Sequence, residues 1–229
     1  MLQANEVDMY KAIKDAIIEQ KLRPNMQLVE DVLAESFGVS RTPVRNVLRR
    51  LASEKLVTVI PYKGTFVACP SIYEAKEVFE MRRVLEAAAI KKVSRTLTED
   101  QFDQLHKLLQ KEHEAHRDGD LLGALRITGD FHLRIGEFAG NYYFFRYLEE
   151  LISLTYVIIA FYGMRKNVYC HEHEHILQAM KEGNGELAEK LMIDHLKDIE
   201  STLDFGENGT QSNSLADIFK SRGYAGTRK

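Results

Sequence analysis

Between Tyr10 and Ile18 apolar residues recur at Tyr10, Ile13, Ala16 and Ile17. This is helical spacing, and it stops before Leu22-Arg23-Pro24-Asn25, where Pro and Asn signal a turn. A second short helix is expected over Glu30–Phe37, with Val32, Leu33 and Phe37 inward and Gly38 as the left-handed residue that ends it. Ser40 then caps a third helix, whose apolar stripe Val44, Val47, Leu48 and Leu51 follows i, i+3, i+4, i+7. Pro43 falls in its first turn, where a missing amide donor costs nothing. Leu56–Ile60 and Thr65–Ala68 read as two strands around Pro61-Tyr62-Lys63-Gly64. Helix, turn, capped helix and hairpin together predict a winged helix-turn-helix over residues 1–70, the hairpin being the wing.

From Ser71 on the strand signals cease. Apolar residues recur at helical spacing in segments punctuated by Gly-Asp, Gly-Asn and Gly-Asn-Gly, with helices expected over Ile72–Ser94, Glu99–Asp118, Leu121–Ala139, Tyr142–Gly163, His171–Glu182 and Gly185–Leu203. The fold class is therefore mostly α: the winged head followed by an all-α helical bundle over 71–206. The tail, 207–229, is rich in Gly, Ser, Asn and Thr and is expected to be loosely ordered.

The 229 residues, 45% hydrophobic and 28% charged, suffice for one good core or two small ones. No run of about eighteen apolar residues occurs, and Met-Leu-Gln-Ala-Asn-Glu-Val-Asp lacks the basic flank and apolar stretch of a signal peptide, so a cytoplasmic protein with no membrane partner is expected. Cys69 and Cys170 lack the paired spacing of a zinc knuckle or a disulfide framework. The net charge of -3 hides an asymmetry. Ten Lys/Arg face eight Asp/Glu up to Ala68, and twenty-one face twenty-six beyond it. That sign suits a DNA-facing head on an acidic body.

On the third helix Arg41, Arg45 and Arg49 recur every four residues, opposite the apolar stripe. The second helix of a helix-turn-helix must offer polar side chains from its first turns, and an arginine fork can pair bidentately with guanine or phosphate. Ser40 and Thr42 add short donors, and Lys63 and Gly64 at the wing tip allow close approach to a neighbouring groove. A lone arginine triplet reads more readily as a solvated basic face; the surrounding order of helix, turn, capped helix and hairpin reverses that preference in favour of DNA.

These residues carry a resemblance. Leu33-Ala34-Glu35, Gly38-Val39-Ser40-Arg41-Thr42-Pro43-Val44-Arg45, Leu48, Leu51, Leu56-Val57 and Gly64-Thr65-Phe66-Val67 resemble the signature of GntR-family regulators. The resemblance implies DNA contacts from Ser40, Arg41, Thr42, Arg45, Lys63 and Gly64, with Arg49 on the backbone. Asn25 stands where the family commonly has Gly, and Asn46-Val47 replaces a usual Glu-Ala.

The helical part resembles the FCD effector domain of the FadR subfamily through Phe79-Glu80-Met81-Arg82, Leu85-Glu86, Phe131-His132, Gly140-Asn141, Glu172-His173, Ile176-Leu177, Ala188 and His195-Leu196. Rotating about 100° per residue puts His132 beside Leu125, Ile135 and Ala139, His173 beside Ile176, Leu177 and Met180, and His195 beside Ala188, Leu191 and Ile199. Each alone reads as a satisfied core histidine. Three inward imidazoles on three helices instead suggest a shared partner, a divalent metal, with zinc or nickel suited to imidazole.

Metal-binding members of the resembled domain carry an aspartate where this chain has Thr128, and Asp130 lies about 160° round the helix from His132. The site is then three histidines plus water or ligand, or is metal-free. The resemblance further implies a small organic acid as effector, clamped by Arg82 with Asn141 as a polar contact. A salt bridge from Arg82, for instance to Glu86 one turn on, is the alternative.

His171-Glu172-His173-Glu174-His175 also satisfies the zinc-protease pattern His-Glu-x-x-His. Its pair, His171 and His175, lies roughly opposite the Ile176/Leu177/Met180 face and lacks the walls of a cleft, so no enzyme is expected. The functional expectation is a transcription regulator, a repressor acting as a homodimer on a palindromic double-stranded operator, in which binding of an acid changes the separation or orientation of the two heads. A helical body that only dimerises is the alternative.

Overall fold

The computed structural model of the chain describes residues 4–19, 21–163, 171–205 and 215. It divides into two compact units, one from Met1–Pro70, Tyr156–Gly163 and Phe205–Lys229 and one from Ser71–Thr155 and Met164–Asp204, each taken here over its described residues. Of the tail expected over 207–229, all but Leu215 lies outside the described residues; Leu215 packs against the core of the first unit.

The first unit runs α1 (Ala4–Ile18), α2 (Glu30–Phe37), α3 (Arg41–Ser53), β1 (Val57–Ile60) and β2 (Gly64–Val67). Its core joins Met9, Ile13 and Ile17 of α1, Leu33 of α2, Val44, Val47, Leu48 and Leu51 of α3, and Leu56, Val57 and Val67 of the hairpin. Burying one such side chain fully is worth about 1.5–3 kcal/mol, so the α3 stripe is the main anchor of that helix. Gly38 ends α2 at φ 64, a left-handed conformation in which a Cβ is strained. The strands are antiparallel with Val57 opposite Val67 and Ile60 opposite Gly64. The segment Asn25–Leu28 lines the open edge of β2 through Asn25 N to Val67 O, Val67 N to Met26 O and Leu28 N to Thr65 O. Asn25 adopts φ 64, as its tolerance of that region permits.

Besides one-residue shifts at strand and helix ends, such as β1 from Val57 and β2 over Gly64–Val67, two details of the first unit differ from the sequence reading. The first helix begins at Ala4, six residues before Tyr10, because its early inward face carries Glu6, a buried acid whose Oε1 accepts from Asn46 Nδ2 at 2.9 Å. Ser40 occupies the N-cap position of α3 but its side chain makes no capping hydrogen bond. The third helical residue is Pro43, so the amide that such a cap commonly engages does not exist.

The second unit is helical: α4 (Ile72–Val93), α5 (Glu99–Arg117), α6 (Leu121–Phe138), α7 (Tyr142–Tyr162), α8 (His171–Lys181) and α9 (Gly185–Thr202), with the last turns of α7 belonging to the first unit. The starts of four are fixed chemically. Ser71 accepts from Glu74 N, Thr98 and Gln101 form a reciprocal capping box, Asp120 accepts from Gly123 N, and Asn184 accepts from Leu187 N. Each cap contributes about 1 kcal/mol. Helix α4 packs on α6 and α9, α5 on α6 and α8, and α8 on α9. Phe79 and Phe131 are fully buried among them. Among the described residues no helix is long and apolar enough to cross a membrane.

Candidate functional site

The packing of α4, α5, α6, α8 and α9 brings three imidazoles together. His132 on α6, His173 on α8 and His195 on α9 are all buried, and one nitrogen from each lies within 4.8 Å of the others. His173 Nε2 is 3.0 Å from His195 Nε2. Each ring's other nitrogen faces a carboxylate: His132 Nδ1 is 2.5 Å from Glu86 Oε2, His173 Nδ1 is 3.2 Å from Glu112 Oε2, and His195 Nδ1 is 2.6 Å from Glu172 Oε2.

The protonation pattern follows from these contacts. Burial opposes the charge on Glu86, yet the Arg82 guanidinium and His132 outweigh it and hold the carboxyl at about 2. An ionised carboxylate only accepts, so His132 Nδ1 carries the hydrogen and donates it, leaving the Nε2 lone pair free. Burial, only partly offset by Glu86, pushes the His132 imidazole below its ordinary value. Burial together with its neighbours His173, His132 and Arg82 pushes His195 well below. Burial, with Asp198 nearby, raises the Glu172 carboxyl. The Nε2 atoms of the three rings converge, and His132 Nε2 is buried without a hydrogen-bond partner among the described residues.

A divalent cation fits this donor set. His173 Nε2 and His195 Nε2, 3.0 Å apart, either share one hydrogen or turn both lone pairs to a cation, and His132 Nε2 beside them has no partner among the described residues. Imidazoles bound to tetrahedral zinc at about 2.0–2.1 Å bring their nitrogens to a separation of about 3.3 Å. Carboxylates on the far ring nitrogens are the usual support of metal-bound histidine.

Sequence reasoning placed the three histidines inward, and they are inward. It did not find Glu112, which sits on the buried stripe Leu105, Leu109, Glu112 of α5, an acid at an apolar position and therefore a legible signal. Thr128 donates a short hydrogen bond to Glu112 Oε1, so it reaches the cluster through Glu112. Arg82 is buried and donates from Nε to Glu86 Oε1 at 2.7 Å and from Nη1 to Thr155 Oγ1 at 3.3 Å. It therefore makes the salt bridge considered for it, and lies one residue from His132 through Glu86. Asn141 is exposed, and its Oδ1 accepts from Tyr143 N at 3.0 Å, capping α7. In the protease-like string Glu172 serves His195 and His175 points outward; the side chain of His171 lies outside the described residues.

On α3 the residues Ser40, Arg41, Thr42, Arg45 and Arg49 are all exposed, opposite the buried stripe, as are Lys63 and Gly64 at the wing tip. Gly64 adopts φ 113, and a Cβ there would lie 3.0 Å from Gln27 Nε2, which itself donates to Lys63 O. Arg41 pairs with Asp31, Arg45 Nε reaches Glu30 Oε2 at 2.8 Å, and Arg49 Nη1 reaches Asn46 Oδ1 at 3.2 Å.

A helix-turn-helix with an arginine-lined second helix and a glycine-tipped wing, joined in one chain to a helical body, defines a DNA-binding transcription regulator. Residues 6–67 match the family described as bacterial regulatory proteins, gntR family, and residues 77–198 match the FCD domain. The chain belongs to the GntR family, in its FCD-containing form. It is 26% identical over 190 residues to the HTH-type transcriptional regulator YdhC of Bacillus subtilis, covering 81% of this chain and 85% of YdhC. It is 22% identical over 197 residues to the HTH-type transcriptional repressor RspR of Escherichia coli, covering 85% of this chain and 86% of RspR. Its fold is similar to that of a GntR protein from Rhodococcus sp. RHA1, with a TM-score of 0.73 and 22% identity over 87% of this chain and 97% of that one. The family comprises regulators, not enzymes.

Proposed function

We propose that this regulator is a cytoplasmic homodimeric repressor, that Ser40, Arg41, Thr42, Arg45, Arg49, Lys63 and Gly64 hold a palindromic operator, and that a small carboxylate received by the helical unit at a divalent metal releases it. The observation that carries the effector part is the convergence of three buried imidazole nitrogens, each ring held from behind by a carboxylate. His132, His173 and His195 would hold zinc or nickel, which would supply Lewis acidity and positive charge for an anionic effector. Around it the chain's own groups set the orientation: Glu86 fixes the tautomer of His132, while Glu112 and Glu172 hold the rings of His173 and His195 in place. Arg82 is committed to Glu86, so it acts on an acid either through that carboxylate or by exchanging it for the ligand. The repressor sign is supported by likeness to RspR, itself a repressor.

Thermal melting across a panel of small mono- and dicarboxylic acids, with and without added zinc or nickel, tests the proposal. A ligand that binds only the folded state at a hundred times its Kd stabilises it by about 2.7 kcal/mol, so at least one acid should raise the midpoint only when metal is present. An unchanged midpoint with every acid, metal or not, would leave the helical unit as a dimerisation module.

A further inference from the structure

The recognition helix does not present its arginines bare. Asp31 grips Arg41 along one edge, with Nε against Oδ1 and Nη2 against Oδ2, the side-on bidentate form of the pair. One turn on, Glu30 holds Arg45 through Nε. Both acids stand in the first turn of α2. From that place the first helix of a helix-turn-helix meets the DNA backbone, and a positive helix end normally welcomes phosphate there. Here it bears two negative charges instead.

Side-on pairing consumes Nε and one hydrogen of Nη2. Nη1 and the outer hydrogen of Nη2 remain, and they form the fork that meets O6 and N7 of guanine. The grip also removes rotamer freedom from a long side chain before DNA arrives, a loss otherwise incurred on binding. We propose that Asp31, backed by Glu30, is a specificity-determining positioning residue: it presents the free edge of Arg41 to a base and repels DNA held by phosphates alone. This rests on reading Arg41 as a DNA contact. Non-specific binding is almost entirely phosphate electrostatics, so a fixed carboxylate opposes it directly, whereas the operator complex gains an oriented guanidinium.

The test uses a duplex selected from a randomised pool by the native chain as operator, and a scrambled duplex of equal length as competitor. Fluorescence anisotropy over a salt series is measured for the native chain, Asp31→Asn, Asp31→Glu, Arg41→Ala and the Asp31→Asn/Arg41→Ala double variant. The two side chains are 60% and 59% exposed, so the variants should melt with the native chain. Asp31→Asn should bind scrambled DNA more tightly with a steeper salt dependence, and lose discrimination on the order of ten-fold. Asp31→Glu should recover part of it, and the double variant should discriminate no worse than Arg41→Ala. If Arg41→Ala is impaired while Asp31→Asn discriminates as well as the native chain, the positioning role is overturned and the DNA reading stands. If Arg41→Ala binds the operator like the native chain, the reading itself is overturned, and the positioning role with it.

Discussion

Replacing Glu86 by Gln keeps the shape of a buried side chain and removes half of its acceptors. Glu86 is 1% exposed; Oε1 accepts from Arg82 Nε and Oε2 from His132 Nδ1. Glutamine has one carbonyl oxygen and one NH2, so one of these donors must face another donor while the Arg82 guanidinium is left without a counter-ion. Two routes give the size. Breaking a buried ion pair by removing one partner costs about 3–5 kcal/mol. Holding the carboxyl at about 2 instead of 4.5 corresponds to about 3 kcal/mol of preference for the charged form. Taking the figure of about 3 kcal/mol common to both, at about 2–4 °C per kcal/mol for a chain of this size, the metal-free variant should melt roughly 6–12 °C below the native protein at pH 7. Removing the stranded cation as well, in Arg82→Met/Glu86→Gln, should restore much of the loss. The sign with pH is fixed: a depressed carboxyl stabilises fully above its unfolded value and loses that effect as the pH falls toward the folded one. The gap between native and variant is thus full above pH 4.5 and closes toward pH 2. A Glu86→Gln variant melting within about 2 °C of the native protein, or a double variant no more stable than the single, would refute the buried relay.

The head offers sharper binding changes with little change in stability. Arg45→Ala should weaken operator binding by about 1–3 kcal/mol without moving the melting midpoint, measured by gel shift and melting together; unchanged affinity would remove Arg45 from the interface. Gly64→Ala, at φ 113 and against Gln27, should weaken operator binding through a displaced wing tip while sparing the helical unit; native affinity would show that the tip makes no close approach. His132 and His195 are both depressed by burial, so the folded state stays neutral where the unfolded chain takes up protons. Stability should fall as the pH drops below about 6.5, and a denaturant midpoint flat from pH 7 to 5 would contradict that.

The helices of the second unit were legible because regular apolar stripes run between Gly-containing turns; the structure adds that Ser71, Thr98 with Gln101, Asp120 and Asn184 cap their starts. Their ends ran one residue long because residues such as Ser94, at φ -56 and ψ -24, and Asp118, at φ -80 and ψ -4, keep near-helical dihedrals past the last helical residue. The start of α1 was hidden by Glu6, a polar residue at an inward position whose partner Asn46 is forty residues away. The same limit applies to the metal-binding candidate. The inward turn of each histidine is a property of its own helix and can be read from spacing. Which carboxylate stands behind each ring depends on how α4 meets α6 and how α5 meets α8, and no local pattern records that. Thr128, which read as a gap in the ligand set, instead donates to the acid behind His173.

Metal content decides whether His132, His173 and His195 form a receptor for a divalent cation. The native chain and His173→Ala are produced without a histidine tag, exposed to zinc or nickel, dialysed and assayed for metal and protein. Close to one bound ion per native chain and almost none in His173→Ala are expected. Equal and negligible metal in both would contradict it.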